Sequence, residues 1–235
     1  MPVFYLNEKN IFPPVSFAEE NGIIAVGGDL SPERLVNAYK NGIFPWFSEG
    51  DPIIWWSPDP RFLLFPGEIK ISRSMKRELR KGTFTITADK AFDQVIQECR
   101  GPRKHESGTW ITEDIVKGYT RLHELGYAHS VEAWKGDKLA GGLYGVSLGG
   151  CFFGESMFTK EKNGSKAAFI TLALKLAELN FDIIDCQVYT AHLESLGAVE
   201  VPRSEFTEIL KVSLTKETIT GDWSGNSLFD FSSNA

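Results

Sequence analysis

The segment from Ile43 to Arg61 places the strongest constraint on the fold. It holds four prolines and three tryptophans in nineteen residues. Proline has no amide hydrogen to donate and its ring breaks the interior of a helix. The segment therefore cannot be a long helix, and it predicts rigid, partly extended stretches joined by turns.

The pattern changes near residue 62. Before that point there is one convincing helix, which begins after Ser31 as N-cap, has Pro32 in its first turn and ends at Asn41-Gly42. After that point helical and extended patterns mix. The sequence predicts a small N-terminal domain of residues 1–62 and a larger domain of residues 63–235, with a loose tail from about residue 216.

The larger domain is predicted to mix helices and strands. The helices are expected at Ser72–Lys81, Asp89–Cys99, from Thr112 to Gly126, from Ser165 to about Asn180, and at Phe206–Thr215. The strands are expected at Thr83–Thr87, Ala128–Trp134, Lys138–Val146, Cys151–Phe158 and Asp182–Val188. A strand meander followed by a helix and a further strand indicates an α+β fold on a mixed sheet. The order is compatible with the acetyltransferase-like (GNAT) superfold, which on pattern alone is one of several candidates.

Composition narrows the class of protein. The 42% hydrophobic content indicates a folded core. No apolar run approaches the ~18 residues that a membrane helix needs, and the first residues lack the features of a signal peptide. Cys99, Cys151 and Cys186 show no paired spacing, which is typical of free thiols in a reducing compartment. We therefore expect a cytoplasmic protein that does not bind membranes.

One predicted strand carries polar residues inside an apolar run. Alternation along 182–188 places Asp185 and Gln187 on one face and Cys186 on the other. Such residues can simply satisfy neighbouring backbone groups in a buried strand, but a carboxylate there is costly unless it is paired or functional. A thiol nucleophile formed by Cys186 with His192 is the weaker alternative, because alternation favours a structural cysteine.

A second acid, Glu155, lies near the end of the predicted strand 151–158. It could be a glutamate that faces solvent at the end of a strand. If this strand neighbours the strand at 182–188, Glu155 and Asp185 could instead line one acidic pocket that suits a cationic ligand.

Two tryptophans are candidates for base stacking. Most tryptophans belong to the core, but Trp46 lies between Pro45 and Phe47 in a segment with no periodicity. Trp110 follows a polar, basic loop at residues 100–109. Aromatic side chains beside basic loops are typical of single-stranded nucleic-acid binding.

Six of the twelve residues at 70–81 are basic and one is acidic, in a chain with net charge −6. A charged run is most often a solvated helix face. The reversal of sign against the whole chain instead favours a phosphate backbone as partner, contacted by Arg73, Lys76, Arg77 and Arg80. By contrast, Gly164-Ser165-Lys166 lacks the spacing of a P-loop.

Seven short motifs, taken in order, resemble those of the leucyl/phenylalanyl-tRNA–protein transferases of bacteria, over about residues 10–210. They are Gly27-Gly28-Asp29-Leu30-Ser31-Pro32, Gly42-Ile43-Phe44-Pro45-Trp46-Phe47, Trp55-Trp56-Ser57-Pro58-Asp59-Pro60-Arg61, Ser72-Arg73-Ser74-Met75-Lys76, Gly108-Thr109-Trp110-Ile111, Gly154-Glu155-Ser156-Met157-Phe158 and Asp185-Cys186-Gln187.

The resemblance implies a GNAT-like domain behind a small N-terminal domain. It also implies transfer of Leu or Phe, and less well Met, from aminoacyl-tRNA to proteins that begin with Arg or Lys, which marks them for degradation in the bacterial N-degron pathway. We expect a monomer that needs no cofactor and no metal, because the ester of aminoacyl-tRNA is already activated.

The resemblance also implies residue roles. Asp185 and Gln187 match catalytic positions, and Glu155 matches the acceptor pocket. The terminal adenosine is contacted at the positions of Trp46 and Trp110. The pocket for the transferred side chain falls at Leu143, Phe152 and Met157.

Two other functions remain open on the residues alone. An acyl-CoA-dependent N-acetyltransferase shares the superfold, but residues 163–168 do not match its usual pyrophosphate loop. A non-catalytic RNA-binding module would use the basic helix and the tryptophans, and would leave Asp185 and Glu155 without a purpose.

Overall fold

The computed structural model describes residues 3–101 and 110–231. Within these residues the strands form two sheets. In chain order they are β1 (Phe4–Leu6), β2 (Ile23–Gly27), β3 (Phe44–Pro45), β4 (Ile54–Trp56), β5 (Arg61–Leu64), β6 (Thr85–Ala88), β7 (Ala128–Lys135), β8 (Lys138–Leu148), β9 (Cys151–Thr159), β10 (Ile183–Gln187) and β11 (Val199–Val201). The helices are α1 (Pro32–Lys40), α2 (Arg73–Arg80), α3 (Phe92–Arg100), α4 (Glu113–Glu124), α5 (Gly164–Glu178), α6 (Ala191–Glu194) and α7 (Arg203–Ser213).

The small sheet has the order β1-β2-β4-β3, and the segment rich in proline and tryptophan supplies β3 and β4. This agrees with the prediction of short extended pieces. Helix α1 buries Leu35, Ala38 and Tyr39, which contribute to the same hydrophobic cluster as Trp55. The predicted helix between Ser31 and Asn41 is confirmed.

The large sheet has the order β11-β5-β10-β9-β8-β7-β6. Its pairs are antiparallel except for β9 and β10, which run parallel with α5 between them in the chain. One hydrophobic cluster covers each face of this sheet. The predicted α+β architecture, with a mixed sheet and a small N-terminal unit, is confirmed, and its GNAT-like character stays a prediction. The chain passes from one sheet to the other between Trp56 and Arg61, and the domain boundary at residue 62 stays a prediction.

Several element ends differ from the prediction for local reasons. Helix α3 does not begin at Asp89, because the Asp89 backbone has a φ of 52° and its carboxylate accepts a hydrogen bond from the amide of Ser130 at 2.8 Å. The last helix begins earlier than predicted, at Arg203. The short elements β5, β11 and α6 were not predicted, since three or four residues carry too little periodicity.

The expectation of a loose tail is wrong for the described residues up to 231. Trp223, Phe229 and Phe231 are buried in the cluster on one face of the large sheet. The Trp223 ring stacks between His129 and Phe229, with ring centroids 3.6 Å away on each side. Isolated aromatic residues in a polar stretch have no periodicity, so the sequence pattern did not reveal this packing. In the described part of the chain, no helix is both long enough and apolar enough to span a bilayer.

Candidate active site

A cavity of about 1090 Å³ opens where β9 and β10 separate. The paired register of these strands ends at Phe153 and Asp185, although β9 continues to Thr159. Glu155 and Gln187 lie just beyond the last paired residues and both line the cavity. Because the strands part, the cavity reaches side chains on both faces of the sheet.

A β-bulge directs Glu155 into this cavity. Tyr144 of β8 pairs with Ser156, and Gly145 pairs with Gly154, so Glu155 is the extra residue on β9. A bulge shifts the alternation of a strand by one position. Consequently Glu155 faces the cluster on one side of the sheet, while Met157 turns to the opposite side.

Three side chains donate hydrogen bonds to the buried carboxylate of Glu155. Tyr39 and Gln187 donate to Oε1, each at 2.7 Å, and Tyr119 donates to Oε2 at 2.9 Å. The two tyrosine hydroxyls also contact each other. Burial raises the pKa of Glu155 to about 7, although these hydrogen bonds act in the opposite direction. Tyr39 and Tyr119 were not among the predicted site residues, since each sits on an ordinary amphipathic helix.

Asp185 lies behind the cavity rather than in its wall. Both of its carboxylate oxygens bind the guanidinium of Arg61, at 2.8 Å from Nε and 2.6 Å from Nη2. Asp185 Oδ1 also accepts the backbone amide hydrogen of Gln187 at 2.9 Å. Asp185 is thus a paired charge that holds the backbone of Gln187. The predicted acidic pocket required β9 and β10 to be neighbours, and they are. Of the two acids, however, Glu155 lines the cavity and Asp185 does not.

The end of β10 is irregular at Gln187. The register against β5 shifts between Asp185 and Gln187, and Gln187 has a φ of 65°. A positive φ is uncommon for a residue other than glycine. It turns the Gln187 side chain toward Glu155, where its amide nitrogen is held, and strict alternation would not predict this direction.

The three residues predicted for the transferred side chain lie together. Leu143 of β8 pairs with Met157, and both belong with Phe152 to the cluster on one face of the sheet. All three line the cavity. Phe169, Ile184 and Leu193 also line this apolar lobe, and the sequence pattern does not single them out from other core residues.

Trp46 and Trp110 line the same cavity. Trp46 is 41% exposed, with its ring centroid 5.5 Å from that of Trp56, whereas Trp55 is fully buried. Trp46 is therefore available to a ligand. Residues 102–109 of the basic loop before Trp110 lie outside the described residues.

The alternative of a thiol nucleophile is not supported. Cys186 and His192 both line the cavity, but burial and the nearby Asp185 raise the pKa of the thiol far above neutrality. Burial and the charge of Lys166 lower the pKa of His192. Cys186 packs with Ile184 on the apolar face, as predicted.

The predicted basic helix is present as α2, and the Ser72 hydroxyl caps it by accepting from the Met75 amide. The four candidate phosphate contacts on this helix are Arg73, Lys76, Arg77 and Arg80, and all four are exposed. None of them forms an ion pair with another described residue. None of them lines the cavity. The structure therefore places this helix apart from Glu155 and Gln187.

The charge of the cavity wall favours cations. Among the described residues it carries two carboxylates, Glu49 and Glu155, and no lysine or arginine. No group of three or more His, Cys, Asp or Glu side chains with metal-binding geometry occurs in the ranges 3–101 and 110–231.

Comparison with known proteins identifies the family of this chain. A model of the leucyl/phenylalanyl-tRNA protein transferase family matches residues 63–211, and a model of that family's N-terminal domain matches residues 28–59. Curated relatives named leucyl/phenylalanyl-tRNA–protein transferase include one from Syntrophus aciditrophicus, 58% identical over 95% of this chain and 94% of its own length. Another, from Desulforapulum autotrophicum, is 51% identical over 95% of this chain and 98% of its own length.

Among solved structures, a GCN5-related N-acetyltransferase from Anabaena variabilis aligns with a TM-score of 0.39 and 14% identity, over 76% of this chain and 43% of that chain. The family assignment rests on the family models and the sequence relatives, because they match most of the chain at high identity. The chain belongs to the leucyl/phenylalanyl-tRNA–protein transferase family and is an aminoacyltransferase.

Proposed function

We propose that this enzyme moves Leu or Phe, and less well Met, from aminoacyl-tRNA to the N-terminal Arg or Lys of acceptor proteins. The product would be a degradation signal in the bacterial N-degron pathway. We propose that it acts as a monomer in the cytoplasm, where charged tRNA is available, without a cofactor.

The single observation that carries the proposal is the composition of the cavity. One lobe is apolar and lined by Leu143, Phe152 and Met157, which suits a Leu or Phe side chain. The other side holds Glu155 and lacks lysine and arginine among the described lining residues, which suits an N-terminal Arg or Lys. A cavity that brings an apolar side chain and a cation together fits the two substrates of the proposed reaction.

The chemistry needs little more than positioning. The α-amine of the acceptor attacks the ester carbonyl, a C–N bond forms, and the bond to the ribose oxygen breaks. The amine gives up a proton and the ribose oxygen takes one. An α-amino group titrates near pH ~8, so only a small deprotonation cost arises near neutrality. Holding amine and ester together can then supply much of the rate.

We assign Gln187 to the attacking amine and Asp185 to the orientation of Gln187. The Gln187 amide nitrogen binds Glu155, so its carbonyl oxygen is the atom left to accept a hydrogen bond from the amine. Glu155 would attract the cationic side chain of the acceptor. In this scheme Asp185 acts through Gln187, because Arg61 binds both of its carboxylate oxygens and it does not line the cavity.

We assign the tRNA to Trp46, Trp110 and helix α2. Trp46 offers an exposed ring at the cavity, as base stacking requires. The exposed basic side chains of α2 would meet phosphates farther along the tRNA body.

The test compares donors and acceptors in one assay. The enzyme is incubated with radiolabelled Leu-tRNA or radiolabelled acetyl-CoA, together with an Arg-starting peptide. Controls use the same peptide with an acetylated N-terminus or with Asp in first place. We expect label from Leu-tRNA on the free Arg peptide alone. Transfer from acetyl-CoA would support an N-acetyltransferase instead, and tRNA binding without any transfer would support an RNA-binding module.

A further inference from the structure

Arg61 is among the most deeply buried charged residues that the structure describes, and it does not line the cavity. It begins β5, directly after the turn of the segment rich in proline and tryptophan. Its side chain and that of Asp185 are both 0% exposed, and they meet through two parallel hydrogen bonds. A bidentate contact of this kind fixes the orientation of both groups as well as their separation.

Two aromatic rings contact the guanidinium. The central carbon of the Arg61 guanidinium lies 4.7 Å from the ring centroid of Phe44 and 4.7 Å from that of Phe206. Phe44 belongs to β3, one residue before Pro45 and two before Trp46. Phe206 belongs to α7, near the C-terminal end of the fold. Arg61 therefore joins the segment that carries Trp46 to the irregular end of β10.

The contact continues into the cavity through Asp185. Oδ1 of Asp185 is shared between Arg61 Nε and the backbone amide of Gln187. That amide belongs to the residue with a φ of 65°, a conformation that the chain does not adopt readily. The Gln187 side chain then reaches Glu155. The order of contacts is Arg61, Asp185, Gln187, Glu155.

We propose that Arg61 is a positioning residue for aminoacyl transfer, which acts through Asp185 to hold the left-handed turn at Gln187 and so the direction of the Gln187 amide in the cavity. The kinetic part of this inference rests on the proposed function. Lysine cannot replace arginine in this role, because an ammonium lacks the planar, bidentate geometry that binds both oxygens of Asp185 and the flat face that packs on aromatic rings.

The first experiment compares Arg61→Lys with Arg34→Lys. Arg34 is a suitable control because it is also buried, pairs with Asp29 and lies outside the cavity lining. Both variants keep the charge and both remove hydrogen bonds. For Arg61→Lys we expect kcat from Leu-tRNA to an Arg peptide to fall roughly ten- to a hundredfold with KM for the tRNA little changed, since small misplacements of reacting groups cost this much. Arg34→Lys should keep the wild-type kcat.

A second variant covers the case in which Arg61→Lys does not fold. Arg61→Met combined with Asp185→Leu removes both charges, and well-packed apolar replacements of a buried pair are often neutral or stabilising. The double variant should melt near the wild-type temperature and still transfer slowly, because nothing holds the Gln187 amide. A folded double variant with wild-type kcat would overturn the proposal.

A readout without activity separates this inference from the proposed function. Tyr39 of α1, Tyr119 of α4 and Gln187 of β10 donate hydrogen bonds to Glu155, and the charge of Asp185 on β10 raises the pKa of Glu155. The hydrogen bond from Gln187 lowers the pKa of Glu155. If Arg61→Lys frees Gln187, a carbon NMR titration of the Glu155 carboxyl should show its pKa moving further up, as Gln187→Met should also do, whereas Arg34→Lys should leave it in place. An unmoved titration in folded Arg61→Lys contradicts the positioning role, whereas an inactive wild type contradicts the proposed function only.

Discussion

Glu155 and Gln187 each occupy a position where a strand loses its regular alternation. Glu155 is the extra residue of the bulge in β9, so it lies on the face opposite the apolar face that holds Met157. The positive φ at Gln187 directs the Gln187 side chain to Glu155. These irregularities place one carboxylate and one amide in the same cavity. Burial makes ionisation of this carboxylate cost free energy, and this cost raises its pKa to about 7.

Replacing Glu155 by Gln tests its charge in catalysis. In the wild type we expect kcat/KM for an Arg peptide to fall as the pH drops through about 7, since protonated Glu155 no longer attracts a cation. The variant should transfer more slowly and lack that dependence, and the step near pH ~8 from the acceptor amine should remain in both. The measurement is a pH profile of transfer, with Glu161→Gln as a control of equal charge change. If the variant keeps the step near 7, another group is responsible.

The same variant has a consequence for stability. The carboxyl has a folded pKa of about 7 against an ordinary 4.5, so the stability it contributes is present at low pH and lost as the pH rises through this window. Thermal melting should show the wild type losing stability relative to Glu155→Gln between these two values.

Helix α2 differs from the other elements in its exposure and charge. One of its residues, Met75, is buried, and its basic side chains extend into solvent without partners among the described residues. Packing therefore does not account for Lys76 and Arg80. In a chain of net charge −6, a phosphate backbone can be attracted only by a local patch such as this.

Replacing Lys76 and Arg80 together by Gln should make the salt dependence of tRNA binding shallower. For each phosphate that the variant no longer neutralises, the slope of log affinity against log salt should change by about 0.7 to 0.9. The weakening should be alike for Leu-tRNA and Phe-tRNA, because phosphate contacts do not read the amino acid. Transfer from an aminoacyl-adenosine without the tRNA body should not change.

The control for global charge is Lys135→Gln with Lys211→Gln, two exposed lysines on other elements. An equal change of slope in this control would mean that α2 has no special role.

At the scale of the whole molecule, the C-terminal segment closes one face of the large sheet. Trp223 lies between His129 and Phe229, and its backbone amide donates to Asp89 at 2.9 Å. Asp89 also binds His129 and the Ser130 amide. The segment therefore belongs to the same hydrophobic cluster as Phe152, which lines the apolar lobe of the cavity.

Trp223→Ala should destabilise the whole protein by about 3–5 kcal/mol, because it opens a cavity beside a buried histidine. Chemical denaturation measures this difference. Leu228→Ala is the matched control, since Leu228 in the same segment is 45% exposed and should change stability by about 0.5 kcal/mol or less. Equal effects in the two variants would mean that the segment does not act as a packed part of the fold.

The sequence by itself determined the longer elements of the large domain, the first helix and the residue types of the site. Cap residues predicted α1, apolar positions on one face predicted α4, and the long apolar run after Ser165 predicted α5. Apolar runs bounded by turn residues predicted the strands β7, β8 and β9. A carboxylate and an amide inside an apolar strand also indicated where a site would lie, although the roles of Asp185, Gln187 and Glu155 stay predictions until variants are measured.

Tertiary structure alone decided how these residues are used. Asp185 is occupied by Arg61, a residue 124 positions away in the chain, so Asp185 supports Gln187 rather than lining the cavity. Glu155 is held by Tyr39 and Tyr119, which come from two helices whose own patterns show only amphipathicity. Side-chain periodicity describes a strand or helix by itself. The bulges, the partners across the core and the packing of isolated aromatic residues depend on which elements meet, and no local pattern contains that information.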